Sequence, residues 1–132
     1  MPDPTTMKHP YAELIGMELV EQSEGEAVCA IDVTDVLMNP QEVVHGAVLY
    51  GLADTAMGAA LYPTLVDGEI CATIEIKISY LRYVVEGRLS ARAKVLHRGR
   101  SVALLEADIL NDDQLVARAT GSFAIFQPRS RR

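Results

Sequence analysis

The stretch Gly46-Ala-Val-Leu-Tyr-Gly-Leu-Ala-Asp54-Thr-Ala-Met-Gly-Ala-Ala-Leu61 contains one charged side chain, Asp54, among residues that are apolar, small, or a lone Tyr or Thr. Its Ala, Leu and Met content predicts a helix, which Pro63 ends. Because the stretch is apolar on nearly all sides, we expect other structure to wrap around it. Asp54 would then be buried, and a buried carboxylate needs a partner or a function.

Six segments that alternate between apolar and polar residues surround this helix in the sequence and predict strands. Two precede the helix and four follow it, at residues 17–22, 26–34, 71–84, 86–98, 102–110 and 115–126. Turn residues separate the last three segments, which favours an antiparallel sheet. The pattern therefore predicts an α+β domain in which the sheet wraps around the helix.

The alternation also assigns side chains to the faces of two strands. In the first strand after the helix, one face is predicted to be apolar and to hold Ala72, Ile74, Ile76, Ile78 and Tyr80. Thr73 would then lie on the opposite face. In the next strand, one face is predicted to be basic and to hold Arg88, Arg92, Lys94 and Arg98.

Length and composition limit the class of protein. The 132 residues are 49% hydrophobic, which predicts one domain over residues 1–132, with an ordered core at about 10–126 and a basic tail at 127–132. No segment resembles a signal peptide or reaches membrane-spanning length, so we expect a cytoplasmic protein without membrane contact. Cys29 and Cys71 lack the spacing of metal ligands and are expected to be buried thiols, with no metal.

The charges are distributed unevenly along the chain. Residues 1–70 hold twelve acidic side chains and one basic one, whereas residues 71–132 hold eleven basic and six acidic ones. The net charge of −6 argues against non-specific nucleic-acid binding. Two interpretations stay open: a local basic surface that attracts a small polyanion, or acidic and basic halves that complement each other within the fold or across a dimer.

A loop rich in polar groups, Asn39-Pro-Gln-Glu-Val-Val-His45-Gly46, leads into the helix. The Gly46 N–H is one of the unpaired donors at a helix N-terminus, where it can polarise a carbonyl and hold an oxyanion. Asp54 is a candidate general base or nucleophile. The Asn39 amide can bind a carbonyl or orient a water molecule.

The helix rise separates two of these groups. Gly46 and Asp54 are eight residues apart, which is about 12 Å along a helix, further than a carboxylate reaches. If both act on one substrate, they come from different subunits. Two antiparallel helices in a two-fold dimer would bring Asp54 of one chain to Gly46 of the other.

The same residues resemble hotdog-fold acyl-CoA thioesterases of the phenylacetate-degradation (PaaI-like) type, over roughly residues 10–126. The resemblance implies a long helix wrapped by a curved antiparallel sheet, in homodimers and often homotetramers. It implies hydrolysis of an acyl- or aryl-acyl-CoA to the acid and CoA, without a cofactor. The matching segments are Asn39, His45-Gly46-Ala47, Leu52-Ala53-Asp54-Thr55-Ala56-Met57-Gly58 and Thr73-Ile-Glu-Ile-Lys-Ile-Ser-Tyr-Leu-Arg82.

Residue by residue, the resemblance implies that Gly46 polarises the thioester carbonyl and that Asp54 of the partner activates water or attacks directly. Asn39 matches a residue near the thioester and the water, Thr73 one that positions the water or the carboxylate, and His45 one that fixes the loop. Thr73 has the wrong strand parity for this role unless a bulge intervenes or the site lies on its face.

Two further departures from the family pattern are Ala47, which replaces a second Gly after the His-Gly pair, and Tyr83, which replaces a common Pro. Contacts with the phosphates of CoA are expected from the arginines Arg82, Arg98 and Arg100, because a guanidinium suits phosphate. The alternatives are a non-catalytic acyl-CoA-binding module and an enoyl-CoA hydratase of the same fold.

Overall fold

The computed structural model describes residues 8–129. Its helices are α1 (Pro10–Ile15) and α2 (Gly46–Leu61), and its strands are β1 (Met17–Ser23), β2 (Glu26–Asp32), β3 (Ile70–Tyr80), β4 (Arg88–Arg98), β5 (Val102–Asn111) and β6 (Gln114–Phe126). The prediction of the apolar helix is confirmed at both ends. The six strands are confirmed too, although β3 ends four residues earlier than predicted and α1 was not predicted. Part of the predicted basic tail, residues 130–132, lies outside the described residues.

All strand pairs are antiparallel and form one six-stranded sheet in the order β1-β2-β4-β5-β6-β3. The sheet wraps α2, which confirms the expected α+β architecture. The buried side of the helix consists of apolar residues without solvent exposure: Leu52, Ala53, Ala56, Met57, Ala60 and Leu61. Truncating one of the larger of these side chains to Ala would cost about 2–5 kcal/mol.

One side of α2 is not covered by the sheet. Because β1 and β3 are the two edges of the sheet and α2 lies between them, a groove stays open along the helix. The expectation that the helix is wrapped on nearly all sides is therefore wrong for the single chain. The partly exposed helix residues follow helical spacing and are mostly small: Ala47, Tyr50, Gly51, Asp54, Thr55, Gly58 and Ala59.

Two β-bulges change the faces that the alternation assigns. In β3 the pairing with β6 skips Ile74, so that Thr73 and Cys71 share the inner face with Ile76 and Ile78. The predicted apolar face that grouped Ala72 and Ile74 with Ile76 is therefore wrong. In β4 the pairing with β5 skips Leu96, which moves Arg98 away from the basic face.

Ion pairs join the acidic and basic halves of the sequence. Arg88 on β4 contacts both Glu18 on β1 and Asp32 on β2, and Arg98 contacts Glu69. This supports the interpretation that the two halves complement each other within the fold. Neither α-helix in residues 8–129 is long and apolar enough to span a membrane.

Candidate active site

A groove of about 1150 Å³ runs along the open side of α2. It is bordered by α1 and β1 on one side and by β3 on the other, and its lining is mainly apolar with Asp54 at mid-helix. The residues of α2 that line it are Ala47, Tyr50, Gly51, Asp54, Thr55, Gly58 and Ala59, followed by Tyr62 just after the helix. The groove therefore offers a carboxylate within an apolar surface that is open to a ligand.

The Asp54 carboxylate is held by β3. The Thr73 hydroxyl donates a hydrogen bond of 2.7 Å to Oδ1 of Asp54, which the bulge at Ile74 makes possible. Asp54 is half-exposed, so the expectation that it is buried is wrong in the single chain. Burial raises the pKa of the nearby Cys71 thiol, and the negative charge of Asp54 raises it further. Of the two cysteines only Cys29 is fully buried, and burial raises its pKa to about 11.

The loop before α2 is organised by Asn39. Its Oδ1 accepts hydrogen bonds from the backbone N–H groups of Gln41 (2.9 Å) and Val43 (3.3 Å). Its own N–H donates to the Val43 carbonyl at 2.8 Å. The carbonyl end of the Asn39 side chain therefore stabilises the loop, while its Nδ2 makes no hydrogen bond within residues 8–129 and is left to donate.

The N-terminus of α2 has one backbone donor without an acceptor. The N–H of His45 donates to the Leu37 carbonyl (2.9 Å), that of Ala47 to Nδ1 of His45 (2.9 Å), and that of Val48 to the His45 carbonyl (2.9 Å). The Gly46 N–H has no acceptor in the part of the chain that the structure describes. His45 thus caps the helix and organises its N-terminus around the Gly46 donor.

Tyr80, at the end of β3, packs on Gly46. Its hydroxyl donates a hydrogen bond of 2.8 Å to the Gly46 carbonyl. A Cβ at position 46 would lie 3.1 Å from both Cζ and Oη of Tyr80. The sequence pattern assigned Tyr80 to an apolar strand face and did not predict this contact. The available signal was the hydroxyl itself, because a tyrosine hydroxyl that packs against other residues usually has a hydrogen-bond partner.

The structure gathers the candidate residues into two groups on one helix. Asp54 and Thr73 form one group at mid-helix, while Asn39, His45 and Gly46 form the other around the helix start. Since α2 is continuous from Gly46 to Leu61, the two groups stay about 12 Å apart along the axis in one chain.

The three candidate arginines have different surroundings. Arg98 lies inside a cluster at the other end of α2, where it binds Glu69 (2.7 Å) and the Thr64 carbonyl (3.2 Å) and is 23% exposed. Its side chain is therefore engaged within the fold. Arg82 and Arg100 are exposed and make no side-chain hydrogen bond within residues 8–129. Arg82 lines a pocket of about 300 Å³ together with Gly46 and Tyr80.

Comparison with known proteins gives matches that include the candidate site residues. The family described as the thioesterase superfamily matches residues 41–117, which include His45, Gly46, Asp54 and Thr73. The acyl-coenzyme A thioesterase PaaI of Escherichia coli is 30% identical over 122 residues, covering 92% of this chain and 81% of that protein. The match to this relative thus extends over nearly the whole helix-and-sheet unit.

Solved structures share the architecture. A conserved protein from Pseudomonas aeruginosa, PA5202, superimposes with a TM-score of 0.85 and is 33% identical, covering 95% of this chain and all (100%) of that one. A mutant of the phenylacetic acid degradation protein PaaI from Thermus thermophilus gives a TM-score of 0.82 at 27% identity, covering 88% of this chain and 98% of that one. The wrapped helix is thus common to these chains.

Proposed function

The chain belongs to the thioesterase superfamily as a PaaI-like hotdog thioesterase, and from this premise we propose that it hydrolyses an acyl- or aryl-acyl-CoA to the free acid and CoA. The observation that carries the proposal is the Asp54 carboxylate, held by the Thr73 hydroxyl on the open side of an otherwise apolar helix. A carboxylate fixed in this way can act on a reactant that lies in the groove.

In the proposed reaction, the Gly46 N–H donates a hydrogen bond to the thioester carbonyl oxygen and stabilises the oxyanion of the tetrahedral intermediate. Asp54 either takes a proton from the attacking water or attacks the carbonyl carbon itself to form an anhydride that water then cleaves. In both routes the tetrahedral intermediate collapses with cleavage of the C–S bond, and CoA leaves as a thiolate that takes up a proton. Nδ2 of Asn39, which makes no hydrogen bond within residues 8–129, is placed to donate to the water or the carbonyl, and His45 holds the helix start in place.

The site is proposed to span two chains because one chain keeps its two halves apart. Thr73 near one end of β3 holds Asp54, and Tyr80 at the other end holds Gly46. The outer edge of β3 has no partner within residues 8–129. A two-fold axis near the middle of this strand, at Ile76, would pair the two edges in antiparallel fashion and bring each Asp54 toward the other chain's Gly46.

The CoA end of the substrate is proposed to lie near the Gly46 side of the site. Arg82 lines the same small pocket as Gly46 and has no hydrogen-bond or ion-pair partner among residues 8–129, so it is placed to bind phosphate. Arg100 is exposed and free to contribute. We leave Arg98 out of this proposal, because Glu69 and the Thr64 carbonyl already occupy its guanidinium.

Turnover of an acyl-CoA panel by wild type and by Asp54→Asn tests the proposal. Release of the CoA thiol from acetyl-, hexanoyl-, decanoyl- and phenylacetyl-CoA gives kcat and KM for each substrate. We expect hydrolysis by wild type and a loss in kcat of about a thousandfold in the variant, since it loses the base or nucleophile. Equal activity of the two proteins would refute the mechanism, and tight binding without turnover by wild type would indicate a non-catalytic module.

A single turnover in ¹⁸O-labelled water separates the two roles of Asp54. If Asp54 attacks directly and water then cleaves the anhydride at the Asp54 carbonyl, one turnover leaves ¹⁸O in the Asp54 carboxylate and transfers an unlabelled Asp54 oxygen to the released acid. General-base catalysis places the label only in the released acid.

A further inference from the structure

The direction of the Gly46 N–H depends on the backbone conformation of Gly46, and glycine has little conformational preference of its own. Glycine adopts many backbone conformations, so a glycine that serves as a fixed donor needs restraint from its surroundings. On the N-terminal side, the hydrogen bond from the His45 N–H to the Leu37 carbonyl (2.9 Å) supplies that restraint. On the C-terminal side, the carbonyl of Gly46 accepts from Tyr80 at 2.8 Å.

The requirement for glycine at position 46 is steric rather than conformational. Gly46 is not among the residues with positive φ, so its backbone conformation is open to any amino acid. The space that a Cβ would need is instead limited by the Tyr80 ring, which would lie 3.1 Å away. Glycine at this position therefore lets Tyr80 contact the helix start directly.

Tyr80 also stands between the two parts of the site. Its side chain lines both the groove that holds Asp54 and the small pocket that holds Gly46 and Arg82. Burial raises the pKa of its hydroxyl, and Tyr50 raises it further, so the hydroxyl stays a donor over a wide pH range.

We propose that Tyr80 is a positioning residue, which fixes the direction of the Gly46 N–H through its hydrogen bond to the Gly46 carbonyl and its ring contact with the Gly46 backbone. This inference rests on the proposed function, because it assigns Tyr80 a part in holding the donor for the thioester carbonyl. A displacement of about 1 Å at such a donor can lower the rate about 100-fold.

Tyr80→Phe is the first arm of the test, because it keeps the ring and removes the hydroxyl. We expect kcat for the best acyl-CoA of the panel to fall about three- to tenfold while KM changes less than about twofold, which matches the loss of one hydrogen bond. The control is Ser23→Ala, which also removes a hydroxyl: Ser23 on β1 is exposed, makes no side-chain hydrogen bond within residues 8–129 and lines neither of the two pockets that hold Asp54 and Gly46. The inference is wrong if the two variants have the same kcat.

The second arm combines Gly46→Ala with Tyr80→Ala. When Tyr80 is present, the methyl group of Gly46→Ala displaces the Tyr80 ring, and we expect kcat to fall about tenfold. When Tyr80→Ala has removed the ring, Gly46→Ala should lower kcat by no more than about twofold. An equal loss in both backgrounds would mean that the methyl group obstructs the ligand and would overturn the inference. Melting temperatures check that all variants fold.

The Asp54→Asn variant separates a failure of the proposed reaction from a failure of the role proposed for Tyr80. If it retains full activity, the mechanism proposed for the site fails whatever Tyr80 does. If it is inactive while Tyr80→Phe behaves like its control, the proposed function stands and only the role of Tyr80 fails.

Discussion

The two ends of α2 use their backbone groups in opposite ways. At the C-terminal end each of the last four carbonyls has a donor: that of Gly58 accepts from the Tyr62 N–H, that of Ala59 from Gln22, that of Ala60 from the Gly25 N–H, and that of Leu61 from Thr64. At the N-terminal end the N–H of Gly46 has no acceptor within residues 8–129. The terminal backbone groups are therefore all hydrogen-bonded at the C-terminal end of the helix, whereas the Gly46 N–H is left without a partner at the N-terminal end.

This difference separates stabilisation from chemistry along one helix. The first N–H groups and last carbonyls of any helix lack intrahelical partners and must find others. Here partners for the C-terminal carbonyls come from β1, the β1–β2 turn and the segment after the helix. We therefore expect substitutions near Gly46 to lower the rate and substitutions around the C-terminal end to lower the stability.

The strongest test at the N-terminal end compares Gly46→Pro with Gly46→Ala. Both add a Cβ beside Tyr80, but only proline removes the N–H. Proline suits the first helical position, and His45 at ψ 135° has the extended backbone that precedes a proline. We expect kcat to fall about 100-fold or more in the proline variant, against about tenfold for alanine. Equal losses in the two variants would show that the donor is not used.

Thr73 tests the mid-helix half of the site. In Thr73→Val the hydrogen bond to Asp54 is lost at nearly constant volume, whereas Thr73→Ser retains the hydroxyl. Since a hydrogen bond to a charged group contributes about 1.5–3 kcal/mol, we expect kcat to fall about tenfold in the valine variant and to stay near wild type in the serine variant. Full activity of Thr73→Val would remove Thr73 from the site.

The smallest effect on rate is expected where Arg98 binds Glu69, beyond the C-terminal end of α2. Glu69→Gln should lower the melting temperature at neutral pH by a few degrees, yet leave kcat within about twofold of wild type. The matched control is Glu24→Gln, which removes an exposed carboxylate that has no ion pair within residues 8–129. A large fall in kcat for Glu69→Gln would contradict the separation of the two ends.

The pH dependence of this stabilisation has a definite sign. The hydrogen bond from the Val66 N–H lowers the pKa of Glu69, and the hydrogen bond from Arg98 lowers it further. A carboxylate whose pKa is lower in the folded state stabilises the fold above its unfolded pKa and loses that contribution as the pH falls through the folded value. The difference in melting temperature between wild type and Glu69→Gln should thus shrink in acid.

The sequence predicted the helix to the residue and all six strands, because apolar periodicity and the turn residues are local signals. Thr73 and Arg98 show where this approach stops. Each lies within two residues of a β-bulge, and a bulge shifts the alternation by one residue without a clear mark in the sequence. For Thr73 the bulge supplies the contact with Asp54 that the resemblance required. For Arg98 it replaces an expected surface charge with an internal ion pair.

Tyr80 and the exposure of Asp54 were not predictable for another reason. The contact of Tyr80 with Gly46 joins residues 34 positions apart and depends on where β3 ends beside the helix. Asp54 was expected to be buried because its neighbours in the sequence are apolar. The edges of the sheet leave that side of the helix open in one chain, and in our account a second chain covers it.

Mixing two inactive variants tests most directly whether Asp54 and Gly46 act across two chains. Asp54→Asn and Gly46→Pro subunits are unfolded together, refolded at equal amounts and assayed for acyl-CoA hydrolysis. A shared site predicts that each mixed dimer regains one intact site, so the mixture should recover about a quarter of wild-type activity. If both groups belong to one chain, no mixed dimer contains an intact site, and a mixture as inactive as its components would contradict the account.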